Sequence, residues 1–291
     1  MLARLQQALS LALAALALAG AAWTGSALVA VACLALAAAG YAGVLGLEFV
    51  LMHRVNRHDP APRATACQLL RAWWGEVLSG LRVFGWRQPW RSRRWADVPG
   101  RRGRRGVLFI HGFVCNRGLW IPWFERLQTL GTPWVAVNLE PVFGRIDDYV
   151  PVIERALRQL EQATGQAPVV VAHSMGGLAL RRWWVEAGRA ARVHHAITIG
   201  TPHRGTWLAR WATSPNGHQM LPGHPWLQDL AAREPADRAA RMTCFYGHCD
   251  NIVFPASNAT LEGADNRHLP GVAHVHMADH PAPYAELLRR L

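Results

Sequence analysis

A long apolar run at the N-terminus places the strongest constraint on what this chain can fold into. Residues 5–52 are dominated by Ala, Leu, Val and Gly, and Glu48 is the only charged side chain among them. One helix of that length would be about 70 Å long, more than twice the ~30 Å hydrocarbon core of a bilayer. Residues 23–26, Trp-Thr-Gly-Ser, interrupt the run with turn-forming and interfacial residue types. We therefore predict a transmembrane hairpin with spans at 5–22 and 27–51.

A cleaved secretory signal peptide is the alternative for the first span. Arg4 supplies a minimal basic region, and Ala-Gly-Ala at residues 19–21 resembles a cleavage site. The second span follows at once, which favours the hairpin. The sequence leaves both interpretations open.

Positive charge is concentrated directly after the second span. The formal net charge is +12, and residues 53–105 hold thirteen Arg against three acidic residues. Basic segments often bind nucleic acid. Here, however, the arginines follow an apolar span and are interleaved with tryptophan, which is typical of a lipid headgroup region. We predict that this segment contacts an anionic lipid surface and that the protein does not bind nucleic acid.

The same asymmetry predicts the orientation of the chain. Arg54, Arg57, Arg63 and Arg71 follow the second span, whereas the turn between the spans carries no charge. Loops rich in Arg stay on the cytoplasmic side of a membrane. We expect an inner membrane protein of the bacterial type whose C-terminal part faces the cytoplasm.

Cysteine and histidine spacing predicts no metal site. The chain has five Cys, and none of them stands in a paired ligand motif. A disulfide between Cys244 and Cys249 would need an oxidising compartment, which the predicted orientation disfavours.

From residue 106 onward, short apolar segments alternate with amphipathic ones. The predicted strands are 107–110, 133–139, 168–172, 193–199 and 242–246, and the predicted helices are 147–164, 175–187 and 282–291. This alternation is typical of a mostly parallel sheet with helices on both faces. We predict three units: a membrane anchor (1–52), a basic juxtamembrane segment (53–105) with a helix at 64–85 and a linker or surface loop at 91–105, and an α/β domain (106–291).

A serine lies at the tightest predicted turn of this domain. Residues 172–177 read Ala-His-Ser-Met-Gly-Gly, between a predicted strand and a predicted helix. A nucleophilic serine in a strained strand-to-helix turn requires small residues two positions before and after it. Gly176 meets this requirement, and Ala172 exceeds the usual glycine by one methyl group. The alternative is a serine that merely caps the helix.

Four further motifs follow one another along the chain: Ile-His-Gly-Phe at 110–113, Gly-Thr-Pro-His-Arg-Gly-Thr at 200–206, Gly-His-Cys-Asp-Asn-Ile-Val-Phe-Pro at 247–255 and Gly-Val-Ala-His at 271–274. Together with the serine turn, they occur in the order of one family, and the chain resembles the bacterial lipase and esterase branch of the α/β-hydrolase superfamily. The resemblance covers about residues 106–291. It implies an α/β-hydrolase fold behind the N-terminal hairpin.

The resemblance also implies a catalytic triad, in the chain order serine, acid, histidine. Ser174 would be the nucleophile, Asp250 the acid and His274 the base. Asp265 is a weaker candidate for the acid because its surroundings predict a turn, and Asp279 follows the favoured histidine. His276 is the second candidate for the base.

An oxyanion hole needs two backbone N–H groups directed at the developing negative charge. The amide of Met175, directly after the nucleophile, is one candidate because it also begins a helix. By resemblance, the amide of Phe113 is the other, and Gly112 leaves room for the backbone turn.

The implied activity is the hydrolysis of carboxylic esters through an acyl-enzyme, without a metal or organic cofactor. The anchor suggests a lipid or another hydrophobic ester as substrate. An acyltransferase or thioesterase would use the same triad, and a non-catalytic membrane protein could use the same fold for binding. Residues 205–241 are predicted to be either an apolar cap over the site or packed surface helices.

Overall fold

The computed structural model describes residues 1–235 and 237–291. Two long helices begin the chain, α1 (Leu2–Thr24) and α2 (Ala27–Val55), and both are long and apolar enough to cross a membrane. Gly25 ends α1 in the left-handed conformation, with φ of 64°, and its freedom from a side chain permits the tight turn into α2. The helices pack against each other as a hairpin.

The juxtamembrane segment contains α3 (Ala66–Gly80) and a π-helix (Leu81–Arg91). A capping box begins α3, in which the Gln68 amide donates to Thr65 Oγ1 at 3.2 Å and the Thr65 amide donates to Gln68 Oε1 at 2.9 Å. The Trp73 indole donates to the Ala42 carbonyl at 2.9 Å and so joins α3 to α2. The helix predicted at 64–85 is thus present, and it continues as a π-helix.

Residues 106–291 contain a parallel sheet covered by helices. The strands are β1 (Val107–Ile110), β2 (Trp134–Ala136), β3 (Val169–His173), β4 (His195–Ile199), β5 (Met242–Tyr246) and β6 (Asp265–His268). The α-helices are α4 (Ile121–Leu130), α5 (Val150–Thr164), α6 (Met175–Ala187), α7 (Pro215–Gln219), α8 (Pro225–Arg233) and α9 (Pro281–Arg290). Short 3₁₀ segments are Asn56–His58, Arg117–Trp120, Ile146–Tyr149, Gly188–Ala190, Trp207–Trp211, Ala239–Arg241, Ala256–Ala259 and His276–Asp279.

The order of strands across the sheet is β2-β1-β3-β4-β5-β6, and every pair is parallel. Alternate residues of a strand point to opposite faces. Leu108 and Ile110 therefore join the cluster under α5 and α6, whereas Val107 and Phe109 join the cluster under α4 and α9. Burial on both faces explains why these strands are continuous apolar runs, and the predicted α/β architecture is confirmed.

The sequence interpretation missed the edge strand β6. Asp265 and its neighbours looked like a turn because they are polar, yet residues Asp265–His268 pair with β5. An edge strand has one partner only, and this one is half exposed, so it needs no apolar pattern.

The basic juxtamembrane segment lies against the α/β domain. Arg87 forms a 2.8 Å ion pair with Asp279, and Val98 forms an antiparallel bridge with Trp134. Apart from this bridge at Val98, residues 92–105, expected to be a linker or surface loop, form no regular helix or strand.

Within residues 205–235 and 237–241, short helices are packed onto the domain. Leu227 and Leu230 of α8 belong to the apolar cluster under α6, and the Trp226 indole donates to the Asp147 carboxylate at 3.0 Å. Of the two structures considered for this segment, the packed surface helices fit these contacts.

Candidate active site

Ser174 occupies a strained turn between β3 and α6. Its backbone has φ of 54° and ψ of −131°, a conformation that non-glycine residues rarely adopt. Gly176 makes the turn possible, since a Cβ there would lie 2.5 Å from the His111 carbonyl oxygen. This is the geometry expected of a nucleophile elbow, in which strain holds the hydroxyl in place above the sheet.

The loop after β1 lies directly against the elbow. A Cβ on Gly112 would lie 2.7 Å from Ser174 Cβ, so the backbone of residues 112–113 passes beside the serine. The next residue, Val114, has a positive φ of 52°, which turns the loop sharply. The loop thus brings the Phe113 backbone beside the elbow, where Met175 begins α6.

Asp250 and His274 form a buried hydrogen-bonded pair. His274 Nδ1 lies 2.9 Å from Asp250 Oδ2, and the two residues are 4% and 1% exposed respectively. The other carboxylate oxygen of Asp250 accepts the amides of Ile252 at 2.9 Å and Val253 at 2.8 Å. These bonds fix the carboxylate, which in turn fixes the imidazole with Nδ1 facing the acid.

The other candidates for acid and base make different contacts. Asp265 pairs with Arg267 at 2.5 Å, and Asp279 pairs with Arg87. His276 lies beside Gly75 of α3, and its buried Nδ1 has no hydrogen-bond partner among the described residues. Of the two histidines, His274 is the one that the fold places on Asp250.

His274 lies close to the serine elbow. The His173 ring, directly before Ser174, packs at a centroid distance of 4.6 Å from the His274 ring, and His173 Nε2 lies 3.1 Å from the His274 carbonyl oxygen. In the described structure, the Ser174 hydroxyl forms no hydrogen bond with the imidazole. Catalytic hydrogen bonds are often long without substrate and shorten when it binds.

Electrostatics separate the histidines of the site. Burial lowers the pKa of His274, but the charge and hydrogen bond of Asp250, with the charges of Glu76 and Glu48, raise it above the ordinary value. Burial and the nearby His274 lower the pKa of His173 to about 3. His173 therefore stays neutral at physiological pH, whereas His274 binds a proton more readily than an ordinary histidine.

Comparison with known proteins adds the fold but no close relative. The sequence matches no protein-family profile and no curated protein. Among solved structures, a lipase of Bacillus licheniformis in its mature form shares 18% identity with a TM-score of 0.57, covering 64% of this chain and 91% of that one. Lipase B of Aspergillus fumigatus shares 20% identity with a TM-score of 0.54, covering 63% of this chain and about half (51%) of its own.

The chain has the α/β-hydrolase fold. In this hydrolase fold, Ser174 follows the central strand β3, Asp250 follows β5 and His274 follows β6, all at the carboxyl edge of the sheet. Catalytic loops of open parallel sheets lie at that edge. The described residues contain no cluster of three or more His, Cys, Asp or Glu side chains able to hold a metal ion.

Three polar residues near the candidate site were not predicted from the sequence. They are Glu48, Glu76 and Asn251, which make hydrogen bonds with or beside the loops of Asp250 and His274. One signal was visible for Glu48, the single charge in the apolar run, because ionisable residues in such segments usually have a function.

Proposed function

We propose that the protein is a serine hydrolase that cleaves carboxylic esters through an acyl-enzyme. The observation that carries the proposal is the strained Ser174 at the start of α6, beside a buried Asp250–His274 pair. A serine hydroxyl is a poor nucleophile at neutral pH and needs such a base to accept its proton.

The roles of the residues follow from this arrangement. Ser174 Oγ attacks the ester carbonyl carbon while His274 Nε2 takes the hydroxyl proton, and Asp250 stabilises the resulting imidazolium. The amides of Phe113 and Met175 hold the oxyanion, helped by the positive end of the α6 dipole. The imidazolium then protonates the departing alcohol. In the second half of the reaction, water attacks the acyl carbon while His274 takes a proton from it, and the carboxylic acid leaves as Ser174 regains its proton.

The hairpin supports a hydrophobic ester or a lipid as substrate. Large apolar side chains of α1 and α2 face outward, and Leu16, Leu28 and Leu36 are 67%, 77% and 72% exposed. Such surfaces are unfavourable in water and favourable in lipid. An enzyme held at the bilayer meets lipid esters at high local concentration.

A cavity beside α2 supports contact with anionic lipid. It measures about 390 Å³ and has apolar walls from both α2 and α3. Its basic lining residues are His53, Arg54 and Arg57. Cationic side chains next to an apolar span attract anionic headgroups, consistent with the proposed cytoplasmic leaflet.

A fluorophosphonate probe together with p-nitrophenyl esters of graded acyl length tests this function. We expect the purified full-length chain to be labelled and to hydrolyse the esters, and Ser174→Ala to lose both while its thermal unfolding is unchanged. Ser92→Ala, at another buried serine, is the control. Ester turnover at the wild-type rate in folded Ser174→Ala would contradict the proposal.

A further inference from the structure

Glu76 of α3 is buried against the loop that carries His274. It is 2% exposed, and its carboxylate accepts the Val275 amide at 2.9 and 3.0 Å and the His276 amide at 3.0 Å. The amides of the two residues directly after His274 are therefore held by one carboxylate from outside the α/β domain.

Glu48 of α2 reaches the same loop through one intermediate residue. Glu48 Oε2 accepts the Asn251 side-chain amide at 2.7 Å, and Asn251 Oδ1 accepts the His274 backbone amide at 3.3 Å. Asn251 is fully buried and follows Asp250 in the chain. Glu48 thus holds Asn251, which is the chain neighbour of Asp250 and is hydrogen-bonded to the backbone of His274.

The segment after α2 forms further hydrogen bonds with the loop that carries Asp250 (the acid loop). Asn56 donates to the His248 carbonyl at 3.3 Å and accepts the Ala256 amide at 3.1 Å. Asp59 accepts the Ser257 hydroxyl at 2.6 Å. The residues directly after the second apolar helix are therefore hydrogen-bonded to the loop that carries Asp250.

We propose that Glu48 and Glu76 are positioning residues for His274, through which the anchor and juxtamembrane helices hold the base and stabilise its protonated form. This inference rests on the proposed function, since it assigns His274 as the base. A buried carboxylate costs more free energy than a neutral acceptor would. The negative charge brings a compensating benefit beside an imidazolium, which is the species that forms during catalysis.

The charges around His274 come from several elements. Asp250 of the acid loop, Glu48 and Glu76 face it, and neutral His173 packs against its ring. Tyr41 of α2 and His276 also lie near Glu76, and His276 is near Asp279, Arg71 and Arg82. Burial raises the pKa of Glu76 to about 7, and the charges of Glu76 and His274 each affect the pKa of the other group.

The test is a histidine NMR titration of the full-length chain in lipid nanodiscs, with the His274 signal assigned from the His274→Ala spectrum. Glu76→Gln and Glu48→Gln keep the shape and one acceptor oxygen but remove the charge. In each variant we expect the pH midpoint of the His274 titration to be lower than in the wild-type chain. It should be unchanged in Glu125→Gln, which alters an exposed glutamate of α4. If Glu76→Gln does not fold, the His274 titration of Glu48→Gln decides the question, since Glu48 is only half-buried.

Ester kinetics supply the second readout. We expect kcat to fall about tenfold to a hundredfold in each glutamate variant with KM nearly unchanged, as misplacement of a catalytic group predicts. Unchanged His274 midpoints in folded variants would overturn the inference whether or not the protein hydrolyses esters. Absence of ester turnover in the wild-type chain would instead refute the proposed function, while the titration would still decide the electrostatic role.

Discussion

Gly112 approaches Ser174 so closely that a Cβ on the glycine would lie 2.7 Å from the Cβ of the serine. The absence of a side chain at residue 112 thus lets the loop after β1 pass directly beside Ser174.

For Gly112→Ala we therefore expect ester hydrolysis to fall at least about tenfold, because the loop must move and carry the Phe113 amide with it. The comparison is Gly85→Ala, where a Cβ meets nothing within 4 Å. Equal rates for the two variants in a p-nitrophenyl ester assay would show that the loop does not contribute to the oxyanion hole.

Single substitutions distinguish the two candidates for the base, His274 and His276. His274→Ala should lower kcat by several orders of magnitude, because Ser174 loses its proton acceptor. His276→Ala should keep most of the activity, since His276 makes no contact with Asp250. Steady-state kinetics of both variants decide the assignment, and the reverse result would make His276 the base.

The pH dependence of hydrolysis should reflect the charge of Asp250. Only neutral His274 accepts a proton, so kcat/KM should fall as the pH drops through its pKa, which lies above the ordinary 6.5. In Asp250→Asn the largest raising influence is gone, so the acid limb should move to lower pH, and the rate should fall by up to ~10⁴-fold. An acid limb at the same pH in both proteins would exclude His274 as the titrating group.

A buried ion pair outside the proposed triad should contribute to the stability of α6. Arg181 pairs with Glu234 at 2.7 Å, with side chains 2% and 5% exposed, and Glu234 also contacts Arg238. Glu234→Gln leaves two buried guanidinium groups without their counter-charge, so we expect a loss of about 3–5 kcal/mol and a lower Tm.

The matched control is Glu186→Gln, since Glu186 pairs with Arg182 at 2.6 Å but is 46% exposed. Exposed pairs contribute about 0–1 kcal/mol. Similar melting temperatures for both variants in differential scanning fluorimetry would argue that the buried pair contributes no net stability.

The topology prediction places residues 53–291 in the cytoplasm. The start of α1 and the end of α2 both contact the folded domain: the Met1 amino group bonds to Glu140 at 2.8 Å, and Asn56, directly after α2, donates to the His248 carbonyl at 3.3 Å. Moving each Arg across a bilayer costs about 2.5–3.5 kcal/mol on insertion scales. A green fluorescent protein fused after Leu291 should therefore fluoresce, and alkaline phosphatase fused there should be inactive. An active phosphatase with a dark fluorescent fusion would place the domain in the periplasm.

Much of the fold could be predicted because its signals are local. Strand β1 and helix α6 have the predicted bounds, because a short apolar run and a helix that begins directly after the serine turn are both recognisable from neighbouring residues. The polar edge strand β6 lacks such an apolar run and was missed. The elbow at Ser174 was also visible locally, because small neighbours and a strand-turn-helix setting are required within a few residues.

The sequence by itself determined the apolar hairpin, the alternation of strands and helices, and the order of the motifs, because each depends on residues close together in the chain. The Gly-Val-Ala-His motif favoured His274 over His276, and the tertiary structure decided that His274 is the one that meets Asp250. It also decided that Glu76 and Glu48 reach loops about 200 residues away (separations of 199 and 203). Contacts at that distance arise only when the packing of α2 and α3 against the domain brings these side chains together, and no local pattern specifies such packing.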